Sequence, residues 1–151
     1  MVVSENVLKW AMRFYPPLFF QRIWVARFGK DFRSAEVHIT KSILNLNYNR
    51  SVFGGTIFSA ADPFYSVLLD QVMQRNGFKV RVWLKSASIS YLKPGRSRMH
   101  FKIQLEDKDV EDAIAVLNSE GKFVRTFSLQ ILNRQGEVCA NVQNEVYIRR
   151  L

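Results

Sequence analysis

Residues 55–73 read GTIFSAADPFYSVLLDQVM, and the expected fold follows from this stretch. Its apolar side chains fall on nearly every side of a helix, and Gly77 stands where such a helix would stop. These side chains are Ile57, Phe58, Ala60, Ala61, Phe64, Tyr65, Val67, Leu68, Leu69, Val72 and Met73. A helix that is apolar all round must be enclosed by other elements. We therefore predict that residues 55–73 form a buried central helix.

The segments around this helix alternate apolar and polar residues, which is typical of β-strands with one buried and one solvated face. The alternation covers residues 35–40, 79–93, 98–105, 123–132 and 138–149. In the second segment the apolar residues change from even to odd positions, which predicts a β-bulge near Ser86. A shorter helix is expected at residues 109–118, with acidic residues in its first turn and Gly121 beyond its end. The pattern predicts an α+β fold in which an antiparallel sheet wraps around one long central helix.

The first thirty residues are amphipathic and aromatic. Ser4 could cap a first helix, which Pro16 and Pro17 would break. We expect one domain over residues 1–151, with residues 1–30 as an N-terminal helical extension. Packing against one end of the core is one interpretation of this extension, and docking on a membrane surface through its basic aromatic face is the other. No signal peptide and no membrane span are recognisable, so a cytoplasmic location is expected.

Composition and charge narrow the functional classes. The chain has 151 residues, of which 48% are hydrophobic, so a packed domain is expected rather than a disordered chain. One cysteine, Cys139, and two histidines, His38 and His100, exclude a disulfide framework and a zinc-site spacing, and no metal is expected. The 22 basic and 13 acidic residues give a net charge of +9, which fits nucleic acid, an anionic membrane or a phosphorylated small molecule. No nucleic-acid-binding signature is recognisable, so nucleic acid is not an expected partner.

The motif at the start of the central helix extends back to Asn49, and three further blocks accompany it. Residues 49–65 read NRSVFGGTIFSAADPFY, residues 15–17 YPP, residues 91–96 YLKPGR and residues 146–150 VYIRR. Over nearly its whole length the chain resembles the DUF4442-type branch of the hotdog-fold superfamily, related to the PaaI-like acyl-CoA thioesterases. The resemblance implies thioester hydrolysis by a homodimer or a dimer of dimers, with the pocket between protomers. Coenzyme A would then enter as part of the acyl-CoA substrate, and no separate cofactor is expected. The alternative function is a non-catalytic hotdog protein that binds acyl-CoA or lipid in association with a membrane.

The residue types in the main motif suit this chemistry. Gly54 and Gly55 would expose backbone N–H groups at the positive end of the helix, where they can stabilise an oxyanion. Asp62 is a lone carboxylate on an apolar helix and is the candidate general base or nucleophile. In PaaI-like enzymes an acidic residue at the matching position has that role. The alternative for the two glycines is a tight turn with close helix packing. The alternative for Asp62 is that it caps a helix that begins at Pro63.

The loop before the helix adds polar candidates. Asn47 and Asn49 could contact the substrate carbonyl or the attacking water, as an asparagine in this loop does in similar thioesterases, or they could cap the loop. Ser59 and Ser66, one turn on either side of Asp62, could reach its carboxylate or could simply pack. The chain departs from the related families at Phe53, where PaaI-like enzymes have histidine, and at residues 50–51, where DUF4442-type sequences commonly have Gly-Thr.

A basic turn is the candidate contact for the phosphates of coenzyme A. It comprises Lys93, Gly95, Arg96 and Arg98, and a solvated turn is the alternative. Lys85 lies mid-strand and could either pair with an acid across the sheet or line a pocket.

Overall fold

A computed structural model describes all residues from 1 to 151 and contains six strands and five α-helices. The strands are β1 (Ile23–Phe28), β2 (Ser34–Ile39), β3 (Val80–Tyr91), β4 (Met99–Gln104), β5 (Lys122–Leu132) and β6 (Val138–Arg150). The helices are α1 (Glu5–Phe14), α2 (Pro16–Phe19), α3 (Gly54–Ala61), α4 (Pro63–Arg75) and α5 (Asp107–Glu120), with a 3₁₀ turn at Lys30–Phe32. None of these helices combines the length and apolar character needed to cross a membrane.

The strands form one antiparallel sheet in the order β1-β2-β4-β5-β6-β3. Strands β5 and β6 pair along almost their whole length, whereas β4 and β5 meet only at His100 and Leu132. The long strand β3 lies at one edge and pairs only with β6. The register of β3 on β6 shifts between Leu84 and Ser86, so the predicted bulge is confirmed.

The predicted central helix is confirmed, and the sheet curves around it. Phe64, Leu68, Leu69 and Met73 have no exposed surface and belong to one core of 36 buried residues. The helix is divided into α3 and α4 because Pro63 has no N–H to donate to the carbonyl one turn earlier. Asp62 therefore stands at a break between two helical segments rather than inside a continuous helix. Helix α4 ends before Gly77, whose φ of +84° favours glycine, as predicted.

The N-terminal segment differs in part from the expected helical extension. Ser4 caps α1, where its Oγ accepts a hydrogen bond from the N–H of Val7, and α2 follows immediately. Residues 23–28, however, are the edge strand β1 and pair with β2. The alternation of β1 was missed because an aromatic residue, Trp24, stands on its outer face and a register shift interrupts it after Val25. The sheet consequently has six strands instead of the five predicted.

Candidate active site

A pocket of about 250 Å³ lies at the N-terminal end of α3. It is formed by the loop before the helix and by the turn after β3. Its lining residues are Asn47, Ser51, Val52, Gly54, Ile57, Tyr91, Leu92, Lys93, Pro94 and Gly95. The structure thus brings together four of the residues predicted from the sequence: Asn47, Gly54, Lys93 and Gly95.

Backbone hydrogen bonds hold the two walls of this pocket in register. The N–H of Val52 donates to the carbonyl of Gly95 at 2.9 Å, and the N–H of Phe53 donates to the carbonyl of Asn45 at 2.7 Å. Gly95 lets this turn pack on β4, since a Cβ at this position would lie 2.6 Å from Cε of the buried Met99. The buried Asn45 side chain bonds three backbone groups around the loop. Sequence reasoning missed Asn45, because nothing in the sequence distinguishes it from the other asparagines of the loop.

The first two amides of α3 have no hydrogen-bond acceptor within the protein. The N–H groups of Thr56 and Ile57 already donate to the carbonyl of Phe53, at 3.0 and 3.2 Å. Those of Gly54 and Gly55 precede them in the first turn and donate to no protein group. Both lie at the positive end of a helix dipole. This arrangement is suited to binding an oxyanion.

The glycines also serve close packing. A Cβ on Gly55 would lie 2.4 Å from the ring of Phe53, and a Cβ on Gly54 would lie 3.2 Å from the ring of Tyr91. The hydroxyl of Tyr91 donates to the carbonyl of Gly54 at 2.9 Å. Phe53 is 56% exposed and offers no hydrogen-bonding group at the mouth of the pocket. The glycine pair therefore both permits close packing and leaves two N–H groups without an acceptor.

Asp62 is solvent-exposed at the break between α3 and α4. Its carboxylate makes no hydrogen bond or ion pair with the protein, and it does not cap α4. Partial burial raises the pKa of the Asp62 carboxyl group. In contrast, hydrogen bonds from Lys93 and Lys85 lower the pKa values of Glu137 and Glu145. Asp62 is therefore a free carboxylate that accepts a proton more readily than an ordinary aspartate.

Asp62 does not line the pocket of Gly54. Eight residues separate the two, which corresponds to about 12 Å along a helix axis. A general base and an oxyanion donor that serve the same carbonyl must both lie within hydrogen-bonding reach of the reacting atoms. Gly54 and Asp62 of one chain are too far apart to do so.

A buried asparagine fixes the peptide next to Asp62. Asn144 of β6 is 1% exposed, and its Nδ2 donates to the carbonyl of Ala61 at 2.7 Å. Its Oδ1 is buried without a partner. Sequence reasoning missed Asn144, although it is the polar interruption between the inward-facing Val142 and Val146. A polar residue at an inward strand position is the signal that could have found it.

The serines near Asp62 do not contact it. The Oγ of Ser59 donates to the carbonyl of Gly55 at 2.8 Å, and the Oγ of Ser66 is buried without a partner. Both serines therefore pack without reaching the carboxylate, which was the alternative to a contact with Asp62.

Of the two candidate asparagines, only Asn47 caps the loop with its side chain. The Oδ1 of Asn47 accepts from the N–H groups of Asn49 and Ser51, and its Nδ2 donates to the Oγ of Ser51. Asn49 is exposed, and its side chain makes no hydrogen bond. Arg50 has a φ of +58°, in the left-handed region that favours the glycine of related sequences. Asn47 thus lines the pocket while its own polar groups hold the loop.

The predicted cations divide between two places. Lys93 lines the pocket and pairs with Glu137, and Arg96 is exposed beside it in the same turn. Arg98 instead contacts His38 and, with His100 and Arg134, surrounds a separate hollow of about 290 Å³. Lys85 pairs across the sheet with Glu145 at 2.8 Å, which decides between its two alternatives.

A larger groove of about 870 Å³ lies where β4 and β5 separate, and it contains none of the predicted site residues. Its one carboxylate, Glu36, is paired with Arg27 at 3.0 Å. No three His, Cys, Asp or Glu side chains converge on a metal site. The N-terminal end of α3 remains the place where free donors and a pocket coincide.

The fold and the position of this pocket define a hotdog-fold protein, and solved structures share the fold. A protein of unknown function from Pseudomonas aeruginosa, described as a probable thioesterase, has a TM-score of 0.85 at 14% identity, with 100% of this chain and 99% of that chain covered. A thioesterase from Haemophilus influenzae has a TM-score of 0.72 at 13% identity, covering 100% and 94%. The Escherichia coli PaaI protein from the phenylacetic acid degradation operon has a TM-score of 0.66 at 19% identity, covering 98% and 96%.

The chain belongs to the DUF4442 family, a domain of unknown function, whose family model matches residues 4–148. No curated protein matches the chain in sequence. The resemblance to the DUF4442-type branch of the hotdog superfamily is thereby confirmed, and so is the predicted fold class.

Proposed function

We propose that this protein is an acyl-CoA thioesterase that works as a homodimer. The observation that carries the proposal is the pair of free N–H groups of Gly54 and Gly55 in the first turn of α3, where Gly54 lines a pocket. They would donate hydrogen bonds to the oxygen of a thioester carbonyl as it becomes an anion. The thioesterase names of proteins with the same fold support this choice of reaction class.

The proposed reaction is a direct hydrolysis. The Asp62 carboxylate takes a proton from a water molecule, whose oxygen attacks the thioester carbon. The carbonyl oxygen becomes an oxyanion that accepts hydrogen bonds from the two glycine amides. When the intermediate collapses, the C–S bond breaks and the thiolate takes the proton from Asp62. The products are a carboxylic acid and free coenzyme A.

The 12 Å helical separation within one chain motivates the dimer. Each site would combine Gly54 and Gly55 of one protomer with Asp62 of the partner subunit. Strand β3 offers the contact, because one edge of this twelve-residue strand pairs with no other strand. Only two of its residues, Arg81 and Lys85, are charged. A long edge strand of this kind is a template for pairing with another chain. The strand ends at Tyr91, which lines the pocket, so a partner on this edge would cover the pocket.

The turn after β3 is the proposed contact for the phosphates of coenzyme A. Lys93 and Arg96 supply the positive charge, and Gly95 lets the turn pack closely on the side chain of Met99. Arg98 faces the separate hollow and is left out of this proposal. Charge-assisted hydrogen bonds from such side chains are the usual recognition of phosphate.

The test is release of free coenzyme A from a panel of acyl-CoA esters of increasing chain length. We expect the Asp62→Asn variant to lose about 10²-fold or more in kcat. Asp70→Asn is the matched control, because Asp70 lies on the same helix and its carboxylate only accepts hydrogen bonds from Gln71 and Gln74. A wild-type protein that hydrolyses no member of the panel would overturn the function. Full activity in the Asp62→Asn variant would overturn the role of Asp62 alone.

A further inference from the structure

The N-terminal segment presents a continuous aromatic surface to solvent. We define this aromatic surface as Trp10, Phe14, Phe19, Phe20 and Trp24, which are between 36% and 62% exposed. Their rings form a chain of contacts, with centroid distances of 6.0, 6.1, 5.5 and 6.4 Å. Contiguous exposed apolar patches are uncommon on soluble proteins and mark interaction sites.

This surface is held rigidly outside the core. The guanidinium of Arg13 lies 4.4 Å from the ring centroids of both Trp10 and Trp24. It also donates hydrogen bonds to the carbonyls of Val25 and Ala26, at 2.8 and 3.2 Å. Arg13 therefore fixes α1 on β1 and keeps the rings on the outer side. Beside them, Phe19 and Trp24 border a hollow of about 350 Å³.

The charge around the aromatic surface has one sign. Residues 1–50 carry eight basic side chains and three acidic ones. All three acids are engaged in ion pairs, Glu5 and Asp31 with Arg75 and Glu36 with Arg27. Lys9 and Arg22 have no acidic partner, and they lie over the rings of Trp10 and Phe19, at 5.7 and 6.0 Å from the ring centroids. Aromatic rings surrounded by free cations match the interface of an anionic lipid bilayer.

We propose that the aromatic surface docks this protein on an anionic lipid membrane, with the rings inserted among the headgroups and the cations on the lipid phosphates. A second copy of the chain is the competing occupant. A two-fold contact through this surface would place Lys9 and Arg22 near the same cations of the other copy, which is unfavourable. Docking is independent of the proposed hydrolysis, so each can fail without the other.

The test is co-sedimentation of the full chain with phosphatidylcholine vesicles, with and without phosphatidylserine. We expect binding to the vesicles that contain phosphatidylserine, and weaker binding at high salt because ions screen the attraction. The double variant F14S/F20S should bind at least about tenfold more weakly, because it removes two large apolar side chains from the contact. The double variant K9Q/R22Q should lose the preference for phosphatidylserine.

Two controls match these variants. Tyr48→Ser removes a 94% exposed aromatic outside the aromatic surface. The double variant K122Q/R149Q removes two exposed cations that face each other on β5 and β6. Both should bind like the wild type. Absence of binding at low salt, or equal losses in the controls, would overturn the proposal. So would a change of oligomeric state in F14S/F20S without lipid, measured by light scattering, because the surface would then be a contact between copies.

Discussion

For Asp62, the charge state that the proposed hydrolysis needs is the one that destabilises the fold. Partial burial raises the pKa of its carboxyl group, so the folded chain binds this proton more tightly than the unfolded chain. Protonation therefore stabilises the fold, and the contribution is lost as the pH rises through the folded pKa. Activation of water needs the unprotonated form. The Asp62 carboxylate would thus act in its unprotonated form, which is the form that slightly destabilises the fold.

The pH dependence of the activity and of the stability should reveal this opposition. With an acyl chain that has no ionisable group, we expect kcat/KM to fall on the acid side with a midpoint above the ordinary aspartate pKa of about 3.9. At pH 8 the Asp62→Asn variant should be more stable than the wild type by less than about 1 kcal/mol, because solvent screens the exposed carboxylate. The stability difference should shrink in acid. Activity that stays constant down to pH 4 would contradict the assignment of Asp62 as the base.

The role of the Gly54 amide can be isolated by proline. Gly54 is the first residue of α3, a position where proline is tolerated, and Phe53 has a ψ of 133°, which suits a residue before proline. Gly54→Pro removes the N–H group, whereas Gly54→Ala adds a Cβ and keeps it. We expect proline to lower kcat by about 10²-fold and alanine to retain most of the activity. Equal activity of the two variants, at equal melting temperature, would remove this amide from the mechanism.

Asn144 of β6 binds the carbonyl of Ala61 at the break between α3 and α4. Asn144→Ala leaves the buried carbonyl of Ala61 without its donor, at a cost of about 1–3 kcal/mol in the free energy of unfolding. Urea unfolding measures this loss. Asn141→Ala is the control on the same strand, because Asn141 is exposed, and it should change stability by less than about 0.5 kcal/mol. Similar losses in both variants would mean that the contact between Asn144 and Ala61 does not stabilise the break.

Most elements could be predicted from local patterns, and the exceptions have local causes. The central helix, five strands and the bulge near Ser86 follow from hydrophobic period alone. Strand β1 was missed because Trp24 is apolar yet faces solvent, which conceals the alternation. Helix α5 begins at Asp107 rather than 109, because Glu106 forms a capping box with Asp109.

Mixed dimers test how two chains share a site. The Asp62→Asn and Gly54→Pro variants should each be nearly inactive alone. When both are coexpressed, half of the dimers are mixed, and each mixed dimer has one intact site out of two. We expect about a quarter of the wild-type activity to return, with light scattering as the check that dimers form. No recovery from a verified mixed dimer would show that Asp62 and the glycine amides do not come from different chains.

Residue order alone was enough to predict the fold class, the position of the central helix and four of the residues that line the candidate pocket. These depend on hydrophobic period, on helix ends and on residue chemistry, all of which are local properties. The three-dimensional fold decided which of those residues meet. It groups Asn47, Gly54, Lys93 and Gly95, turns Arg98 to another face and brings Asn144 to the helix break. Such proximity depends on strand pairing and on the packing of residues far apart in the sequence, and no local pattern records it.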